Sequence, residues 1–559
     1  MNRNTVVATP LSRKPLSAIV AACAVVAAFP ASAQIAPDAG RVLQQQAPVI
    51  EAPKAAPGIK IETPKPTSVP AGGVQVTIQS VTIQGNTLFP EAKLLAAIGE
   101  VSGKSYDAAG LRELANRVSA YYHQAGYPFA RAYLPPQGMQ DGVLRIDVVE
   151  GRYGKVQAHG DAKLADAAQR FLAPLRPGSV IQSTQLERIS LLMDDLPGVR
   201  VAPIIRPGQE VGTGDLAVEI ERTAKYTGDV GIDNHGNRYT GRARARANLD
   251  INSPFLLGDQ INIRSLYTEE GMWFGNLAYS MPLGISGLRG QVSYTHTYYQ
   301  LGKSFSALDA NGTADVYSAG LSYPILRSQK TNLTLSATYQ YKKLNDRRGA
   351  VGTSNDKSSD TLPVALSFDT RDQLGGGAVT YGAVTWTPGK LKLDHSLSTV
   401  DAASARSAGS FNKVNLDLAR IQAVTDKLNL FGRMSAQWAD QNLDSSEKFG
   451  LGGPTGIRAY PVGESYGDQG WLAQLEVRYA VGAFVPYAFY DAGWIKTNSK
   501  PWTNADNKRS IGGYGAGVRF AKNQWSVDTA VAWRSYGGRP ESDTADRQPM
   551  GWVTAGYKF

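Results

Sequence analysis

Two stretches hold the side chains with most to offer chemically. The first is Leu451-Gly452-Gly453-Pro454-Thr455-Gly456-Ile457-Arg458-Ala459-Tyr460-Pro461, running on through Gly463-Glu464 and Gly467-Asp468. Its glycines let it turn tightly. The second is Phe489-Tyr490-Asp491-Ala492-Gly493, on an alternating segment further along. An arginine on a loop folded against a wall can meet a carboxylate there, in a charge-assisted bond that is strong in a confined site. Other spellings lead nowhere. Gly463-Glu464-Ser465-Tyr466-Gly467 has the form of a hydrolase elbow, but that chemistry needs a strand-turn-helix and this stretch lies between strands. His123, His159, His235, His296 and His395 lie far apart, without metal-ligand spacing. Gly515-Ala516-Gly517 lacks the third glycine and the following helix of a dinucleotide site. The chain has 1 cysteine, which excludes a disulfide scaffold and a multi-thiolate metal centre. No cofactor, no metal and no enzymatic activity are expected.

The elements that must hold these stretches alternate. From Tyr226 to Phe559 no helical periodicity stands out. Ala243, Ala245, Ala247, Leu249 and Ile251 interleave with Arg242, Arg244, Arg246, Asn248 and Asp250. Leu333, Leu335, Ala337, Tyr339 and Tyr341 do the same against Thr334, Ser336, Thr338, Gln340 and Lys342. Such alternation fits a soluble sandwich or a transmembrane barrel. Segments of roughly 10 residues match a tilted membrane-crossing strand, and aromatics such as Trp525 and Trp533 recur near the ends of apolar faces. These favour the barrel. At about 21 residues per strand and loop, 224–559 accommodates about 16 antiparallel strands. A barrel needs no long apolar run, and none approaches ~18–20 residues beyond the first thirty-odd positions. The net charge of +10 is spread over the alternating segments, which argues against nucleic acid.

The amino terminus reads as an address. Arg3, Arg13 and Lys14 precede an apolar run from Ala18 to Phe29 and an Ala-x-Ala site ending at Ala33, a secretory signal peptide over 1–33. Its removal takes the charge from +10 to +7 and removes Cys23. Within 34–46, Asp38 is placed to cap a short helix. Residues 47–73 hold prolines 48, 53, 57, 64, 66 and 70, an extended linker. A helix on such a tether can dock and leave; composition alone equally fits a disordered tail. Two small α+β repeats follow, 74–150 and 151–223. In the first, Asp107 caps a helix bearing Leu111, Leu114 and Val118, in the order strand, helix, helix, strand, strand. In the second, Ser183 or Thr184 with Glu187 forms a capping box.

Taken together, these features resemble the two-partner-secretion transporters (TpsB type) of the POTRA-plus-barrel superfamily. The family's sixth-loop signature, an Arg in a Val-Arg-Gly-Tyr/Phe tetrad, is matched by Ile457-Arg458-Ala459-Tyr460, with Ala459 in place of the glycine. Asp491, with Gly493 beside it, matches the wall aspartate that pairs with this arginine in the family. Ser367-Phe368-Asp369-Thr370-Arg371-Asp372 is similar to another recurrent segment, and terminal Tyr557 and Phe559 resemble the assembly signal of outer-membrane barrels. The resemblance implies a monomer in the bacterial outer membrane, surrounded by lipid and folded by the barrel assembly machinery. Its POTRA repeats would capture an unfolded TpsA-type exoprotein in the periplasm, and its barrel, with loop 451–468 in the lumen, would pass the exoprotein outward without ATP. The amino-terminal helix would plug the resting pore. A barrel-assembly factor of the same superfamily and a passive porin are the alternatives.

Overall fold

The computed structural model describes residues 36–46, 50–53 and 71–559. The expected signal peptide with Ala33, and most of the proline-rich linker, lie outside the described residues.

The first repeat is a three-stranded sheet whose middle strand, Val143–Val149, runs parallel to Ser80–Gln84 and antiparallel to Arg131–Tyr133. Helices Glu91–Ile98 and Ala108–Gln124 pack Leu94, Leu114 and Val118 onto Ile83, Leu144 and Ile146. Asp107 caps the longer helix, accepting from Gly110 N at 2.8 Å. The expected order gains one element, a short pairing of Val76–Ile78 with Lys104–Tyr106. The second repeat is built alike: Thr213–Arg222 lies between Arg152–Gly160 and Val199–Pro207, covered by helices Ala162–Gln169 and Ser183–Asp194.

The expected capping box on Ser183–Asp194 is not formed. Gln182 occupies the N-cap without a side-chain bond. Ser183 Oγ instead donates to Gly126 O in the first repeat, and Glu187 accepts from Gln329 N at 2.6 Å. Tertiary partners outcompete the local cap because this helix is wedged between the first repeat and the barrel mouth. Arg188 donates to Pro324 O at 2.8 Å, and Arg327 bonds Asp195 at 2.7 Å. The helix thus sets the angle at which the repeats meet the pore.

From Tyr226 onward, antiparallel strands close into a barrel. Thr353–Thr361 and Val364–Asp372 keep one register against the strands on both sides and count as a single strand, interrupted where Pro363 lacks an N–H. The barrel therefore has sixteen strands. Its outer face exposes apolar and aromatic side chains such as Tyr267, Trp273, Leu277, Trp438 and Trp525, the surface of a lipid-facing wall. The seam is made by Thr554–Lys558 against Asp229–Asp233. Phe559 and Gly228 then exchange both backbone bonds at 3.0 Å. Helical structure does occur in this half: His395–Ala402, capped by Asp394, sits between two strands. Its Ser- and Thr-rich sequence carries no strong apolar stripe, which is why periodicity does not announce it.

Glu150, 4% exposed, ties the repeats together. It accepts from Thr87 N at 2.6 Å, Leu88 N at 2.8 Å, Tyr122 Oη at 3.1 Å and Arg152 at 3.0 Å. Burial pushes its carboxyl up, and the bonds from Thr87, Leu88 and Tyr122 outweigh that and hold it below its usual value. A lowered folded value contributes stability that is present above the unfolded value of about 4.3 and lost as pH falls through the lower folded one. Amide exchange in helix Ala108–Gln124 of the full-length protein is expected to accelerate below about pH 4. In Glu150→Gln this acid step disappears and exchange is faster at neutral pH; an unchanged acid step would show that another group governs it.

Candidate functional site

The lumenal loop is folded by its own backbone before its side chains act. Ile457 N donates to Leu451 O at 2.7 Å, and Gly456 O accepts from Gln474 on the wall at 2.8 Å. Leu451 and Ile457, both fully buried, pack with Leu472, Ile495 and Ile511. Gly493 makes this possible, because a Cβ there would stand 2.9 Å from Leu451 Cδ2 and 3.0 Å from Ile457 Cδ1. The loop therefore lies flat on the wall strands Gln469–Tyr479 and Phe484–Lys496.

That placement delivers Arg458 to Asp491. Nε and Nη2 donate to the two carboxylate oxygens at 2.8 and 2.7 Å, and the backbone N–H of Arg458 adds a third bond at 3.0 Å. Nη1 donates to Glu476 at 2.6 Å, and the guanidinium lies 3.5 Å from the centre of the Phe489 ring. Glu476 also takes Arg478 at 2.7 Å and Arg519 at 3.0 Å, and Arg519 reaches Asp528 at 3.0 Å. Three arginines thus meet three carboxylates. The network is neutral and closed, and it offers no free charge to a small ligand. Its geometry suits holding.

Ala459 has an ordinary φ, so the backbone at this position does not require the family's glycine. Its methyl packs on Gly513, where any Cβ would collide with it. Tyr460 Oη donates to Tyr536 O at 2.8 Å and Gly538 O at 2.9 Å. Trp552 Nε1, on the last strand, donates to Arg458 O at 2.7 Å. Further out, Glu464 accepts from Glu541 N and Ser542 N, both at 2.9 Å, and pairs with Arg509 at 2.6 Å. Ser465 has no histidine to activate it and is followed by a strand residue, not by a helix. Tyr557 stacks edge-on with Trp525, and Phe559 lies at the seam on Gly228. Asp369 bonds Asn332 and Arg371 near the mouth that carries the repeats. Among the described residues, no group of three or more His, Cys, Asp or Glu is arranged to hold a metal.

A helix, Ala39–Gln44, sits inside the barrel. Asp38 caps it by accepting from Arg41 N at 2.9 Å. The second oxygen of Asp38 accepts from Ser445 Oγ at 2.7 Å and faces Lys357 at 3.4 Å, which Asp444 pairs at 2.8 Å. Ala39 N donates to Asp346 at 2.7 Å. Ala39 and Val42 pack on Tyr239, Tyr299, Ala310, Ala314 and Leu344. Beyond the helix, Ile50 lines a cavity of about 220 Å³ under the Arg458 network, and Pro53 lines another of about 320 Å³ between the second repeat and the barrel. Residues 50–53 therefore lie between the lumenal loop and the mouth bearing the repeats. Sequence reasoning found Arg458 and Asp491 but missed Glu476 and Lys357. Glu476 alternates with Gln474 and Arg478 on the lumenal face of its strand, a signal available from spacing alone. Lys357 carries no local signal, because its acids come from 319 residues before it and 87 after it.

A closed sixteen-strand barrel with a lipid-facing wall, repeats at one mouth, and a loop and helix in its lumen defines an outer-membrane transporter. The chain belongs to the family described as haemolysin secretion/activation protein ShlB/FhaC/HecB, which matches residues 212–520. It is a two-partner-secretion transporter of the bacterial outer membrane. The ShlB-type POTRA domain matches residues 76–151. The chain is 26% identical over 446 residues to the heme/hemopexin transporter protein HuxB of Haemophilus influenzae, covering 77% of this chain and 78% of that one. It is 23% identical over 507 residues to the outer membrane transporter CdiB of Dickeya dadantii, covering 86% of each. The solved structure of CdiB from Escherichia coli superposes with a TM-score of 0.72 at 21% identity, over 90% of this chain and 93% of that one.

Removing one partner of a buried ion pair costs about 3–5 kcal/mol, because the other charge is left uncompensated. Arg458→Ala is therefore expected to lower the thermal transition of the lumenal loop sharply and open it to protease from outside, with the barrel still heat-modifiable on gels. Ala459→Gly is expected to cost no more than about 1 kcal/mol by the same measurement.

Proposed function

We propose that this protein captures an unfolded TpsA-type exoprotein at its periplasmic repeats and passes it through the barrel to the cell surface, with the helix Ala39–Gln44 as the resting plug. The observation that carries this is the helix itself, seated on the lumenal wall and joined to the repeats by a chain that follows the pore. In this reading 1–33 is removed at Ala33, 34–46 is the plug segment, 47–73 the tether, and 74–150 and 151–223 the two POTRA repeats. Residues 224–559 are the pore, working as a monomer. Tyr557 and Phe559 present the chain to the barrel assembly machinery. Arg458 and Asp491 hold the lumenal loop in the register that secretion requires. No bond is made or broken and no cofactor takes part, so the protein is not an enzyme; export draws on capture below and folding outside. Two repeats and a tethered plug support secretion over barrel assembly, and repeats of any kind support it over a passive porin. The names of the relatives, transporters of haemolysin, of heme/hemopexin and of the CdiB type, leave the cargo's class open among haemolysins, adhesins and contact-delivered toxins.

A six-residue helix is far shorter than the ~12–15 residues that persist alone in water, so its docking contacts must hold it. Asp38→Ala removes the cap and the partner of Lys357 and Ser445 together. It is expected to raise single-channel conductance in planar bilayers while barrel folding is unchanged. A disulfide between Gly40→Cys and Ser445→Cys, placed so that a Cβ on residue 40 would meet the Ser445 side chain, should block secretion of the partner exoprotein until a reductant is added. Normal secretion with the disulfide intact would overturn the plug.

A further inference from the structure

The lumen has two unlike walls. On one side lies the Arg458 network, and across the seam the pairs Arg244–Asp233 at 2.6 Å and Arg264–Asp250 at 2.6 Å continue around the wall. Each of these charges is already answered by a neighbour. On the other side, the parity that places Tyr299, Ala314 and Leu344 against the plug helix fixes which residues of three adjacent strands face inward. Following that parity away from the helix gives Ser293 on Arg289–Gln300, Ser318 and Ser322 on Ala310–Arg327, and Ser336 and Thr338 on Thr331–Arg348. These positions carry hydroxyls and no charge. They line a cavity of about 370 Å³ between the helix and the periplasmic mouth, whose single charged lining residue, Arg289, sits at the mouth end and donates to Gly258 O at 3.0 Å and to Ser280 at 3.2 Å. Ser293 and Ser318 bond each other at 2.9 Å, whereas Ser322, Ser336 and Thr338 have no side-chain partner among the described residues. Beside the helix, Thr297 is buried at 1% exposure and its hydroxyl is likewise unpartnered.

We propose that this hydroxyl wall is the track along which the exported chain runs, binding its backbone without regard to sequence. The inference rests on the transporter reading above and adds where, and by which chemistry, the lumen touches its cargo. An unfolded chain brings one N–H and one C=O per residue, and both must stay bonded inside the pore. A fixed charge grips some sequences and repels others. A hydroxyl rotates to donate or accept, so it serves either group at every step. Inward-facing neighbours along one strand repeat every two residues, about 6.6 Å, which is also the repeat of same-side groups on an extended chain. Each residue that advances therefore meets the contacts its predecessor left. The helix lies over the outer end of the same wall, where Thr297 has no partner. Its departure opens that hydroxyl to the pore and extends the track.

The test uses full-length protein in planar bilayers, scored during open intervals of the parent and of Asp38→Ala. The probe is a long neutral Gly/Ser/Asn peptide on the periplasmic side, compared with the same sequence methylated at every backbone nitrogen. Ser293→Ala, Ser318→Ala, Ser336→Ala and Thr338→Val combined should shorten peptide blockades roughly tenfold, while the methylated probe blocks briefly in every variant. Arg264→Gln with Asp250→Asn, which empties a charge pair outside the hydroxyl wall and two strands from its edge, should leave peptide blockades unchanged. Equal blockade times in the parent and the hydroxyl-free barrel, or an equal fall in the charge-free one, would overturn the track and leave the conduit standing. A parent pore that conducts ions but is never blocked by the peptide would overturn the conduit reading, and the track with it.

Discussion

Arg458 gives Nε, Nη1, Nη2 and its own backbone N–H to Asp491 and Glu476, and most of the lumen is arranged around that grip. Taking three charges out of water is costly unless each is met at short range. Here each is. Arg478 and Arg519 complete the shell of Glu476, and Asp528 balances Arg519. The loop that bears Arg458 is thereby fixed to the strands before the seam. Trp552, on the strand that closes the barrel, hangs from the same residue's carbonyl. Loop position and barrel closure are therefore coupled at one residue.

The helix Ala39–Gln44 follows the same logic on the other wall with weaker means. Lys357 gathers Asp38 and Asp444, and Asp346 takes a backbone N–H of the helix. Of the helix's own side chains, Ala39 and Val42 are buried behind these polar contacts, with Leu43 packed beside them. The loop is held by a closed network on a packed floor; the helix is held by its cap, a lysine and a small apolar patch. An element built to leave needs fewer contacts than one built to stay.

Much of this was legible in the sequence where the signal is local. Alternation along single strands separated lumen from lipid, because the side-chain period of a strand is set by the backbone, and the length of the alternating region gave the strand number. Asp38 and Asp107 cap their helices as their positions suggest. Arg458 and Asp491 were recognisable from motif spelling. Features made by distant segments were not legible. The acids around Lys357, the second carboxylate on Arg458, and the docking of Glu187 on the barrel all join residues far apart in the chain, and no window of sequence contains them. The Glu187 cap was misjudged for that reason: a local rule met a stronger remote partner.

The tether also carries a kinetic consequence. The helix ends at Gln44 and the first strand of the repeats begins at Val76, leaving 45–75 to join them. These thirty-one residues reach at most about 110 Å even fully stretched. A helix drawn out of the lumen is therefore never lost to the bulk: it searches a volume scarcely larger than the protein, at an effective concentration in the millimolar range. Resealing is then intramolecular. Its rate is independent of how many transporters the membrane holds, and the interval during which an emptied pore leaks is set by chain length rather than by abundance.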